Sequence, residues 1–199
     1  EDALSLPVRT GKARVIGIEP ASLVTKSLVR EVKTDDAGCF QSALNPGLTK
    51  IAVIERHKRT GKLGIGILEG YGLTGGAIAT TISHDSHNIV VAGDNDPDML
   101  LAVRELADMG GGIVSVHGGS IRRLPLPIAG LMTSADPQEV NAVLHDMLVA
   151  ARAELGIPED VEPFMTLSFM ALPVIPELKL TARGLFNVNT FSFVGVEAD

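Results

Sequence analysis

Between Lys50 and Gly93 short aliphatic runs alternate with glycine-rich or polar breaks, a pattern that predicts strands joined by hairpins. Ile51-Ala52-Val53-Ile54 reads as a buried strand ending in Glu55-Arg56-His57. From Leu63 to Glu69 aliphatic residues alternate with glycine, which points to close backbone packing or bulges. Gly76–Ile82 and Ile89–Gly93 predict the two arms of a hairpin. Upstream, Lys12–Ile18 predicts a strand stopped by Glu19-Pro20. Leu23–Val32, with four β-branched residues, predicts another. Residues 34–49 are rich in Asp, Gly, Asn and Pro and read as a loop longer than an ordinary connection, either a flexible excursion or a small boundary.

The period lengthens twice. Asp96-Pro97 starts one helix, with Asp96 as cap and Leu100, Val103, Leu106 and Ala107 on its apolar face, and Gly110-Gly111-Gly112 stops it. Asp136 caps a second, with Glu139 three residues on, and Val140, Val143, Leu144, Met147, Leu148, Ala151 and Leu155 follow the helical period. Between them, Gly118-Gly119 marks a two-residue hairpin turn. Leu124–Gly130 is an extended segment fixed by proline, Phe164–Pro176 is largely apolar, and 178–180 and 185–194 read as loop and strand. The expected class is α+β: a mixed or antiparallel sheet with hairpins and two main helices, about 97–109 and 137–155.

Composition narrows the function classes. The net charge of −7 comes without any basic block, which argues against nucleic acid as a partner. Cys39 is the single cysteine, so there is no disulfide framework or cysteine-based zinc site, and a cytoplasmic setting is expected. No apolar run approaches the ~20 residues needed to span a bilayer, so no membrane is expected. The start, Glu1-Asp2-Ala3, is acidic and unlike a signal peptide, and it opens in mid-pattern as a segment of a longer chain would. Aromatics are scarce, so aliphatic side chains must fill the core. A mean hydropathy of +0.26 suggests surface that is covered by a partner or by a segment outside this sequence.

The densest polar cluster, His84-Asp85-Ser86-His87-Asn88, lies between two predicted strands. Such groups must be solvated, paired with one another, or directed at a ligand. His84 or His87 could bind a metal or carry a proton with Asp85 orienting it, or the loop could contact a substrate or a neighbouring domain. A hairpin loop satisfying its own backbone is the competing reading. Glu55, Arg56 and His57, at a strand end, form a second candidate: Glu55 as base or ligand, Arg56 as anion clamp, or simply a charged strand end. The glycines of 61–76 match neither phosphate-binding signature, and no nucleophile elbow is present. His117 and His145 read as surface residues, and Met165, Phe169 and Met170 as core.

Four segments carry a resemblance: Lys50–His57, Gly76–Asn88, Leu124–Met132 and Pro163–Glu177. Together, in this order, they resemble the C-terminal domain of adenine deaminases, members of the metal-dependent amidohydrolase superfamily. The resemblance spans Val15 to Val194. It implies hydrolysis of adenine to hypoxanthine and ammonia in purine salvage, with a divalent metal (Mn or Fe) in a barrel domain supplied in cis or in trans. No His-x-His pair occurs in the chain, so no metal ligand carries over and no metal is expected on this chain alone. It also implies a homo-oligomer and a division into 1–32, edge strands of a small β-domain; 33–49, a loop or linker; and 50–199, the C-terminal α+β domain. On this reading no catalytic residue is assigned, and His84, Asp85, Ser86, His87, Asn88, Glu55, Arg56 and His57 are candidates for closing the purine pocket or bracing the metal site from outside. The competing functions are a non-catalytic packing or oligomerisation domain and a small-molecule binding module.

Overall fold

The computed structural model describes residues 2–198. Glu1 of the acidic opening and the closing Asp199 lie outside the described residues. Eight strands form one mixed sheet: β1 (Lys12–Ile18), β2 (Thr25–Glu31), β3 (Leu48–Ile54), β4 (Leu63–Glu69), β5 (Gly76–Thr80), β6 (Ile89–Gly93), β7 (Gly112–His117) and β8 (Ser120–Pro125). Their order is β2-β1-β4-β3-β6-β5-β7-β8, and every pairing is antiparallel except β1 with β4. Three short strands, β9 (Leu178–Thr181), β10 (Gly184–Asn187) and β11 (Ser192–Phe193), make a second sheet. The helices are α1 (Asp96–Asp108), α2 (Pro137–Ala153) and α3 (Pro163–Phe169). The expected α+β class, the hairpins and both main helices are present. The short α3 is an addition, inside the segment expected only to be apolar.

Strand alternation divides the core into two layers. Ile51, Val53, Ile78, Val90 and Ala92 face α2, α3 and the small sheet. Their neighbours Ala52, Ala77, Ala79 and Val91 face α1, where the small alanines let Met99, Ala102 and Leu106 approach closely. Both sides of the central strands are therefore covered, which explains continuous apolar runs rather than alternation with polar residues. Gly118 and Gly119, at φ +54° and +80°, make the tight β7–β8 turn that the sequence signalled.

Three local expectations are corrected. Asn95, not Asp96, caps α1, accepting from the Asp98 amide through its side chain, while Asp96 begins the helix. Residues 34–49 are no flexible excursion: Phe40 is fully buried, and Asn45 ties Lys33 and Gln41 together through three side-chain hydrogen bonds. The core is also not purely aliphatic, since Tyr71 and Phe40 are its largest fully buried side chains. Residues 1–32, the expected edge of a small β-domain, contribute β1 and β2 at one edge of the main sheet. Among the described residues no helix is long and apolar enough to cross a membrane.

Candidate functional site

The strand registers bring several loops to one end of the sheet. Ile54 of β3 lies opposite Ile89 of β6, Thr80 of β5 opposite Val90, and Ile113 of β7 opposite Thr80 and Leu124. Residues 55–62, 81–88 and 126–132 therefore emerge side by side, and both candidate clusters from the sequence share this end.

Their contacts are mostly side chain to backbone. Arg56 Nε donates to the carbonyl of His87 at 2.6 Å, and Arg56 Nη2 donates to the carbonyl of Ala129 at 2.7 Å. His57 Nε2 lies 2.8 Å from the carbonyl oxygen of Ser86. Asn88, nearly buried, accepts from the Arg56 amide at 3.4 Å. Thr81 donates to the Gly130 carbonyl and accepts from the Gly112 amide, fixing the 126–132 segment from the other side. Gly130 adopts φ +75°, and an added Cβ there would fall 2.8 Å from Arg56 Nη2. Arg56 and His57 thus clamp the 84–88 loop by its main chain, and the Arg56 guanidinium has no carboxylate partner among the described residues.

Glu55 is used otherwise. Its carboxylate accepts from the amides of His57, Lys58 and Thr60 and from the Thr60 hydroxyl. These bonds, chiefly the one from the Thr60 amide, hold its pKa down to about 2. A carboxylate so engaged organises its own turn and is a poor general base near neutrality. Arg56 therefore behaves as a loop clamp, and Glu55 fits the simpler reading of a structured strand end.

Apart from Asn88, the loop's side chains are left free of this scaffold. Asp85 and Ser86 are exposed, and His84 and His87 are half-buried. The His84 amide donates to the Ser168 carbonyl of α3, which brings its ring against Phe169 with centroids 4.5 Å apart. Burial, reinforced by the charges of His84 and Arg56, lowers the His87 pKa, and its Nδ1 is buried without a hydrogen-bond partner. A buried orphan nitrogen of this kind is where a group from outside the chain can find a partner. His117 is half-buried against the Gly75 carbonyl, and His145 is exposed.

Sequence reasoning missed α3. Its signals were present: Glu162 caps the Met165 amide, Pro163 opens the helix, and Phe164 and Leu167 repeat at helical spacing. The buried Tyr71 hydroxyl donates to the Pro163 carbonyl and anchors that start, its pKa raised by burial. Met170 is core as expected, but Met165 is 56% exposed and Phe169 half-buried. Together with His84 they border a cavity of about 460 Å³.

Among the described residues no group of three or more His, Cys, Asp or Glu side chains is arranged to hold a metal ion. The donor set of this chain does not fit the divalent metal that the resemblance implies.

The family described as adenine deaminase C-terminal domain matches residues 22–192. "Adenine deaminase" of Nitratidesulfovibrio vulgaris is 59% identical over 197 residues, covering 98% of this chain and 34% of the relative. "Adenine deaminase 2" of Carboxydothermus hydrogenoformans is 48% identical over 196 residues, and "Adenine deaminase" of Clostridium acetobutylicum 45% identical over 195, with the same coverage. The chain spans about a third of the length of the curated relatives it matches. With its fold, its clamped loop and these relatives taken together, the chain belongs to the adenine deaminase C-terminal domain family.

Proposed function

We propose that this chain is the C-terminal part of an adenine deaminase, the enzyme hydrolysing adenine to hypoxanthine and ammonia, and that its 84–88 loop faces the catalytic domain. The family match carries the first half of this reading. The second rests on one observation: Arg56 and His57 each spend a side-chain nitrogen on a carbonyl group of the loop, at His87 and Ser86. That leaves His84, Asp85, Ser86 and His87 presented on a fixed main chain, as a pocket-closing element needs. His84 and His87 contribute imidazole hydrogen bonds at the rim, and Asp85 contributes charge. Arg56 acts through the loop as a positioning residue.

The divalent metal, manganese or iron, belongs on this reading to the polypeptide outside this chain, in cis or in trans. A cytoplasmic role in purine salvage and assembly of several copies complete the proposal. They are supported by the family resemblance, the single cysteine and the apolar composition.

The test follows ammonia release from adenine, with added divalent iron or manganese, by this chain alone, by the remaining two-thirds alone, and by the two together. Activity that requires both supports the proposal. Full activity of the remainder alone would make this a packing domain instead, and activity of this chain alone would place the reacting centre within it.

A further inference from the structure

We propose that the cavity between the His84 loop, α2 and α3 is a binding site for a neutral planar purine base, the adenine substrate or the hypoxanthine product. The inference rests on the adenine deaminase reading for the identity of the base and on this chain's own residues for the site.

The cavity measures about 460 Å³, within the roughly 300–1,000 Å³ typical of small-molecule sites. Ile82, Leu144 and Phe164 supply apolar wall. His84 and Phe169 form a tilted aromatic pair on its border, and the Met165 thioether stands beside them, 56% exposed. Two rings and a polarisable sulfur are suited to the flat face of a heteroaromatic ligand.

The polar groups are few and complementary to a base. The Thr80 hydroxyl accepts from the Ile82 amide, which leaves its own proton to donate to a ring nitrogen. Glu162 uses Oε2 to cap α3, which leaves Oε1 to accept from an exocyclic amine or ring N–H. Glu162 is also the one carboxylate on the lining. A negative rim disfavours phosphorylated ligands, so the site selects the free base over a nucleotide. The Ser168 carbonyl, by holding the His84 amide, couples the cavity to the loop proposed to face the catalytic domain.

The experiment labels the methionine methyl groups of this chain with ¹³C and follows Met165, assigned through Met165→Leu, by NMR. Adenine and hypoxanthine should each shift the Met165 methyl saturably, while adenosine 5′-monophosphate and cyclohexanol should leave it in place. Leu144→Trp, which fills the cavity, should abolish the adenine response in a spectrum that is otherwise folded. Phe169→Leu, at a half-buried position, should weaken binding several-fold and serves if the tryptophan variant does not fold. No saturable shift at millimolar adenine, or an equal shift with cyclohexanol, overturns the site and leaves an apolar cleft for a side chain from elsewhere in the enzyme. Failure of the deaminase reading would show separately, as absence of ammonia release from the assembled protein, whatever Met165 does.

Discussion

Arg56 and His87, separated by a strand pairing, are joined by a 2.6 Å hydrogen bond from the guanidinium Nε to the backbone carbonyl. The same guanidinium reaches the Ala129 carbonyl at 2.7 Å, so one side chain fixes two loops. Arg56→Gln is too short to span both. It should destabilise the fold by about 1.5–3 kcal/mol, the range for hydrogen bonds involving charged groups. Amide exchange should accelerate in 84–88 and 126–132 while α1 stays protected. Unchanged exchange in both loops would remove Arg56 from its clamping role.

His84 should matter more to turnover than to stability. Its amide, not its ring, makes the bond to α3, so His84→Ala keeps the backbone link and removes only the half-buried imidazole. In the complete enzyme, adenine turnover should fall at least tenfold while the melting temperature shifts by only a few degrees. A variant with normal turnover per folded molecule would confine His84 to packing.

Acid should weaken the site end in two stages. The His87 pKa is lowered in the folded state, so the unfolded state binds more protons and stability falls as the pH drops through the ordinary histidine value of about 6.5. The Glu55 carboxyl is held down to about 2 from its usual 4.5, so its contribution is whole above about pH 4.5 and is lost between there and about 2. Melting temperature followed against pH should show His87→Gln flattening the upper stage and Glu55→Gln the lower. Parallel curves for the variants and the parent would contradict both assignments.

Gly64 tests the contact between the two sheets. A Cβ there would fall 2.0 Å from the Thr181 carbonyl oxygen and 3.0 Å from the Gly184 amide, both main chain and unable to move aside cheaply. Gly64→Ala should cost roughly 3 kcal/mol or more, at the upper end for single substitutions. Gly118→Ala, where no atom lies within 4 Å, bears only the left-handed backbone strain and should cost about 1 kcal/mol. Chemical denaturation of both variants checks the ranking, and equal losses would refute the close-approach explanation.

Lys50 is an almost fully buried lysine whose ammonium bonds the Leu4 carbonyl at 3.1 Å and Asp96 at 2.6 Å. It joins the N-terminal segment to the first turn of α1. Asp96→Asn would leave that ammonium buried without its counter-charge, at a cost of about 3 kcal/mol. A double variant, Lys50→Met with Asp96→Asn, should recover part of the loss, because no unpaired charge then remains. Denaturation midpoints measure this directly, and a double variant less stable than Asp96→Asn would refute it.

The strands of the main sheet, the two long helices and the glycine turn were legible in the residues alone, because each depends on local periodicity, caps and turn chemistry that the residues carry with them, whereas 178–180, expected as a loop, is strand β9. Asp136 caps α2 through its side chain as its position suggested. The sequence also marked the 84–88 and 55–57 clusters, since dense polarity beside buried strands must be accounted for wherever the chain runs. It misplaced the α1 cap by one residue, because Asn95 and Asp96 are both good caps and only the helix start decides between them. Tertiary structure alone decided that both clusters share one end of the sheet, because strand order follows from long-range pairing. It alone showed Glu55 to be committed to its own turn and Arg56 to the His87 and Ala129 carbonyl groups. And it alone exposed Met165 beside His84 and Phe169: the direction of a side chain on a single short helix is set by which face the core takes, and here the core takes Phe164 and Leu167.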